Sequence, residues 1–78
     1  MVPLRRFWFP VPGRLGIGVT AATLGDARAQ AEDVRARWSN AAPLGDPIED
    51  VDLRTLDQRH VIPNMRPAVS PGVWFPLL

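Results

Sequence analysis

A chain of 78 residues has room for one domain, and a chain this short buries only about 60% of the surface its unfolded form exposes. With 46% hydrophobic residues, three Trp and three Phe it can build a core, but no Cys braces it; packing must hold it, and a reducing compartment suits it. Nine Arg and no Lys against eight acidic residues leave a net charge of +1, too balanced for a nucleic-acid or anionic-membrane ligand, and the absence of Lys and Tyr excludes Schiff-base and tyrosine-acid chemistry.

The first predicted element is a strand over residues 4–9, rich in aromatics and ended by Pro10, which lacks a ladder donor. Pro10, Val11, Pro12 and Gly13 then read as a turn. Residues 16–21 alternate, with Ile17, Val19 and Ala21 on one face and Gly16, Gly18 and Thr20 on the other. The bare glycine side predicts a bulky neighbour: Phe7, Trp8 or Trp74.

A helix follows. Thr23 and Asp26 have capping-box spacing, and Leu24, Ala27, Ala31, Val34 and Trp38 recur three or four apart as one apolar stripe. Asp33 and Arg37 stand at i and i+4, Arg35 and Arg37 suit the negative end of the helix dipole, and Ser39, Asn40 and Pro43 stop the helix. Residues 47–53 read as a third strand, with Val51 and Leu53 inward and Asp50 and Asp52 on a wet acidic face. A short helical turn is expected over 55–59, an extended, proline-punctuated loop over 61–67, and a last strand over 73–75.

This order predicts an α+β domain of ββαββ type spanning residues 1–78, with one amphipathic helix on a mixed sheet and a proline-rich, aromatic, extended C-terminal segment over 61–78. The tripeptide Trp8-Phe9-Pro10 returns as Trp74-Phe75-Pro76 near the other end of the chain. The simplest arrangement pairs the two segments as strands over the helix. Alternation then turns one aromatic of each end outward, as a patch unless loops cover it.

Export and membrane insertion find little support. Arg5, Arg6 and Arg14 precede an apolar run over 15–24, with Ala27-Arg28-Ala29 as a small-residue cleavage site, but the run carries two Gly and two Thr, and cleavage there would leave too little chain to fold unaided. No stretch reaches the roughly 18 to 20 apolar residues of a transmembrane helix. The expected location is the cytoplasm.

The chemistry on offer is sparse. His60 is the only histidine. Asp57 and Ser39 or Ser70 would complete a hydrolytic triad only on paper, because no nucleophile motif surrounds either serine. Asp50 and Asp52 read as solvated strand acids rather than cation ligands, and Asp57 as the cap of a turn. Gly13, Gly16 and Gly18 lie between a turn and a strand, not before a helix, so they do not form a phosphate cradle. Arg5, Arg6 and Arg14 with Trp8 resemble a basic patch with an aromatic platform, without a repeat of that pattern. No catalytic residue, metal or cofactor is assigned.

Phe7-Trp8-Phe9, Gly16-Ile17-Gly18-Val19-Thr20-Ala21, Glu49-Asp50-Val51-Asp52, His60-Val61-Ile62-Pro63-Asn64-Met65 and Gly72-Val73-Trp74-Phe75-Pro76 together resemble a set of short uncharacterised bacterial proteins. That resemblance implies a free-standing domain and lends no activity. The element order is also similar to the β-grasp fold of ubiquitin-like proteins, although such modifiers end in a free glycine tail and this chain ends in Pro76-Leu77-Leu78.

The expected function is non-catalytic protein binding of a bacterial accessory type, with a partner enzyme reading or processing the C-terminal segment. Trp8, Trp74, Phe75, Leu77 and Leu78 are the candidate partner-binding residues, and Asn64 and Gly72 the candidate processing points. Prolines at 63, 67, 71 and 76 hold that segment extended, either for a partner or around the domain's own core. The alternative is an immunity or antitoxin-like inhibitor that offers Asp46, Glu49, Asp50 and Asp52 to a basic target.

Overall fold

A hairpin over residues 5–21 carries large side chains to both faces of a sheet, and the helix and the segment over 50–71 cover those faces. The structure, a computed structural model, describes residues 3–38 and 40–77. β1 (Arg5–Phe9) and β2 (Ile17–Ala21) pair antiparallel, with Phe7 opposite Val19, Trp8 opposite Gly18 and Phe9 opposite Ile17. The turn between them closes with Arg14 N–H donating to the Val11 carbonyl at 2.9 Å. Pro12 takes its second position and Gly13, at φ 81°, its third, as a type II turn requires.

α1 (Leu24–Arg35) starts at Thr23, whose hydroxyl accepts from Asp26 N–H at 3.1 Å. The return bond from the Asp26 carboxylate is not made among the described residues. The helical ion pair is Glu32 with Arg35, one turn apart, in place of the predicted Asp33 with Arg37. The apolar stripe lies where the spacing put it. Ala27, Ala31 and Val34 are buried against Phe7, Phe9, Val11, Ile17, Val19 and Ala21, with Leu24 and Trp38 at the margins. Trp38 reaches this core from the turn beyond the helix, where its N–H donates to the Arg35 carbonyl.

β3 (Ile48–Glu49) joins the outer edge of β1, and β4 (Gly72–Phe75) joins β2, giving the order β3-β1-β2-β4. The domain is thus α+β, one helix on four strands. Two expectations are corrected. Every pairing is antiparallel, so the sheet is not mixed, and the last strand does not pair with the first, because β2 lies between them.

The second face is the more informative one. Trp8, Val51, Val61, Ala68, Trp74 and Phe75 form a second buried cluster, with Leu53, Leu56 and Met65 packed against it. Strict alternation would have sent Trp74 and Phe75 to opposite faces. In the β2–β4 ladder Phe75 stands opposite Gly18 and Val73 opposite Val19, so Trp74 is the extra residue of a bulge. Both aromatics therefore join Trp8 on one face, with ring centroids 5.9 Å (Trp74) and 5.7 Å (Phe75) from its own.

Residues 50–71 form the lid over that cluster. The lid is tied down where Thr20 Oγ1 donates to the Ala68 carbonyl at 2.5 Å and where Arg66 N–H donates to the Trp74 carbonyl at 2.7 Å. Three local expectations change here. The third strand is two residues long, because Asp50 at φ 54° turns the chain away from the ladder. The helical turn falls at Leu53–Thr55 rather than over 55–59, and the expected extended loop contains a second 3-10 turn, Ile62–Asn64, with Pro63 in its first turn, where no amide donor is needed.

Candidate functional site

The strongest candidate site lies at the end of the sheet where the β1–β2 turn, the chain beyond α1 and the chain beyond β4 converge. The chain beyond Phe75, which stands opposite Gly18, brings Pro76 to a cavity shared with Leu15 and Gly16. Arg14, Leu15, Gly16, Trp38, Phe75 and Pro76 line a cavity of about 280 Å³. The Arg14 guanidinium lies over the Trp38 ring, 4.3 Å from its centroid. That contact contributes about 0.5–1 kcal/mol at an exposed site and keeps the guanidinium beside the indole. Leu15 is 46% exposed and Leu77, directly after Pro76, 52%.

The sequence-predicted partner residues divide sharply. Trp8, Trp74 and Phe75 are 6%, 1% and 6% exposed, so their rings pack chiefly in the domain's own core, with Phe75 also at the wall of the cavity above. They pack where β2 supplies glycines in place of side chains. A methyl group at Gly18 would come within 2.6 Å of Trp74 Cε3, and one at Gly16 within 2.7 Å of Trp8 Cε2. Leu77 is on the surface, and Leu78 lies outside the described residues. Asn64 is exposed in the second 3-10 turn, where its amide donates to the His60 carbonyl at 3.0 Å. Gly72, at φ 115°, is paired with Thr20 inside the sheet.

Three acids of the predicted acidic face, Glu49, Asp50 and Asp52, are engaged from within, while Asp46 is exposed. Arg5 donates through Nε to Asp50 Oδ1 at 2.9 Å, and through Nη2 to Asp50 Oδ2 at 2.7 Å and Glu49 Oε1 at 3.2 Å. Arg54 grips Asp52 through Nε and Nη2, the latter at 2.8 Å. The Arg54 bonds hold the Asp52 carboxyl at about 2, and the Arg5 bond pulls Asp50 down in the same sense. The expected basic patch divides likewise. Arg5 is engaged with acids, Arg6 Nε donates to the Val51 carbonyl, Trp8 is buried, and Arg14 stacks on Trp38 instead.

His60 Nδ1 lies 3.1 Å from Asp57 Oδ2, while Asp57 Oδ1 accepts from the N–H groups of Arg59 and His60. Asp57 is thus the turn cap its position suggested, and these bonds, the His60 side chain first, lower its carboxyl. Ser70 makes no hydrogen bond to His60 among the described residues, and Ser39 lies outside them. No group of three or more His, Asp or Glu gathers as metal ligands among the described residues, and no described helix is long and apolar enough to cross a membrane.

A larger hollow of about 460 Å³ lies over the lid between Leu53, Ile62, Met65 and Pro67. Its polar rim is already engaged: Gln58 Nε2 donates to the Leu53, Arg54 and Leu56 carbonyls, and Arg54 holds Asp52. The Arg14–Trp38 site differs in that its cation meets no carboxylate among the described residues. The sequence held each of its residues, but Arg14 and Trp38 stand 24 positions apart, and only the packing of the turn against the helix end joins them. No family model, no curated protein and no solved structure matches the chain.

Proposed function

We propose that this is a non-catalytic protein-binding domain, of bacterial accessory type, that meets its partner through the end face carrying Leu15, Pro76 and Leu77. The observation that carries the reading is the contrast in exposure. The chain hides Trp8, Trp74 and Phe75 almost completely, yet leaves Leu15, which lines the cavity, and Leu77, which follows the lining residue Pro76, about half exposed. Exposed aliphatic side chains beside a pocket and an arginine match the apolar core and the arginine enrichment of protein-docking surfaces.

The geometry favours recognition of the intact domain over ubiquitin-like processing. A cut at Gly72 would remove Val73, Trp74 and Phe75 and leave β2 and Trp8 uncovered, while Asn64 already lies within the lid. The inhibitor reading loses its main feature, because Glu49, Asp50 and Asp52 already face Arg5 and Arg54.

The test is capture from source cells with the whole chain and with Leu15→Asp and Leu77→Asp, after matching their circular dichroism and melting curves. A protein retained by the parent chain and lost from both folded variants is the expected result. Equal retention by all three, or none by the parent, refutes the end-face reading.

A further inference from the structure

We infer that the cavity beside Arg14 and Trp38 captures the free C-terminal carboxylate of a partner polypeptide that ends in an aliphatic residue. The inference rests on the end-face reading above and names what that face takes.

The argument begins with how the arginines are used. Arg5, Arg35 and Arg54 each hold a carboxylate of this chain. Arg14, like Arg6, Arg28, Arg37 and Arg59, has none among the described residues; what sets it apart is its place over the Trp38 ring at the edge of a cavity. Its side chain is exposed and donates no hydrogen bond among the described residues, so its planar N–H fork is available to match the two oxygens of a carboxylate.

The walls next to it are apolar. Leu15, Phe75 and Pro76 complete a cavity of about 280 Å³. That lies at or below the range of roughly 300–1,000 Å³ that encloses a drug-sized ligand, so it suits one side chain with its attached terminus. A single carboxylate-binding edge beside a single apolar slot is the complement of a C-terminal aliphatic residue, which carries both groups on one Cα. An internal Asp or Glu would bring the charge but put its apolar neighbour on the next residue. Capture of a terminal carboxylate is an established mode of peptide recognition.

The test uses the whole chain and fluorescence anisotropy of a labelled hexapeptide of alternating glycine and serine that ends in leucine. Three forms are compared: the free acid, its C-terminal amide, and a free acid ending in serine. The free acid is expected to bind, and both other forms to bind roughly tenfold more weakly or worse, as loss of a charge-assisted bond or of apolar contact implies. Arg14→Gln should weaken the free acid by a similar factor and leave the amide unchanged. No binding of the free acid, equal binding of acid and amide, or indifference to Arg14→Gln in a variant with the parent's melting curve would overturn the inference. The acid and amide comparison needs no variant, so a misfolded Arg14→Gln leaves it decisive. If a cellular partner is still lost in Leu15→Asp and Leu77→Asp while the peptide fails to bind, the end-face reading stands and the carboxylate assignment falls.

Discussion

Gly18 shows how much can depend on one missing side chain. It stands opposite Trp8 on one side and Phe75 on the other, with the Trp74 ring directly over it. Adding a methyl forces the ring or the strand to move, and overpacking of this kind costs about 1–3 kcal/mol. Gly18→Ala should lower the urea midpoint accordingly while leaving the slope unchanged; an unaltered midpoint would mean that Trp74 has room to move. The indole N–H of Trp74 finds no partner among the described residues, so this residue is held by its volume and not by its polarity. The carboxylates make a second prediction at this scale. Asp52, held at about 2 by Arg54, binds a proton less readily folded than unfolded, where its value is about 3.9. Its contribution is complete above the unfolded value and disappears as pH falls from about 4 to about 2. Asp50 and Asp57 act in the same direction. The urea midpoint should fall as pH drops below about 4, less steeply in Asp52→Asn and less steeply in high salt, since these pairs are exposed. A midpoint that rises on acidification below about pH 4 would contradict this assignment.

At the scale of elements, β4 decides between two accounts of the C-terminal stretch. Deleting residues 73–78 removes the outer partner of β2 and two of the three aromatics of the second cluster. Truncating even one buried Trp costs about 3–5 kcal/mol. A domain of this length holds roughly 4–12 kcal/mol in total, so the shortened chain should lack a cooperative thermal transition. A shortened chain that melts like the parent would show the tail to be an appendage. The helix and the hairpin were legible in the sequence because each is local: Thr23 caps within three residues, Pro12 and Gly13 define their own turn, and Ile17, Val19 and Ala21 alternate. The lid was not, because its structure is set from outside. Val51 and Val61 are held by Trp8 and Trp74, and Ala68 by the hydroxyl of Thr20, 48 residues earlier in the chain. The glycine face of β2 did foretell a bulky neighbour, and Trp8 and Trp74 both occupy it. Which strand would bring Trp74 there was hidden, since a bulge leaves no periodic trace. The candidate site was the least legible part, because Arg14 and Trp38 each have an ordinary local explanation, in a turn and in an apolar stripe.

At the scale of the whole molecule, one sheet serves two cores: β1 gives side chains to both, and β2 gives side chains to the first and its Gly18 and Thr20 face to the second. Unfolding either core strips one face of the same four strands, which ties the two together. Trp8 and Trp74 report on one face once Trp38, which packs against the other, is replaced in a Trp38→Phe variant, and the helix reports on that other face. Tryptophan fluorescence and far-ultraviolet circular dichroism should therefore give a single coincident urea transition, and separated midpoints would show that the lid melts independently. The placement of β4 also bears on how the chain is made. Translation makes the hairpin and helix about 40 residues before β4, a lag of roughly 2 to 8 s at roughly 5–20 residues per second. Until β4 arrives, the face formed by Trp8 and the bare glycines of β2 has no cover of its own. The aromatic segment that completes the fold is also the one that ends this interval, so synthesis rate and chaperone supply govern how many copies reach it unaggregated.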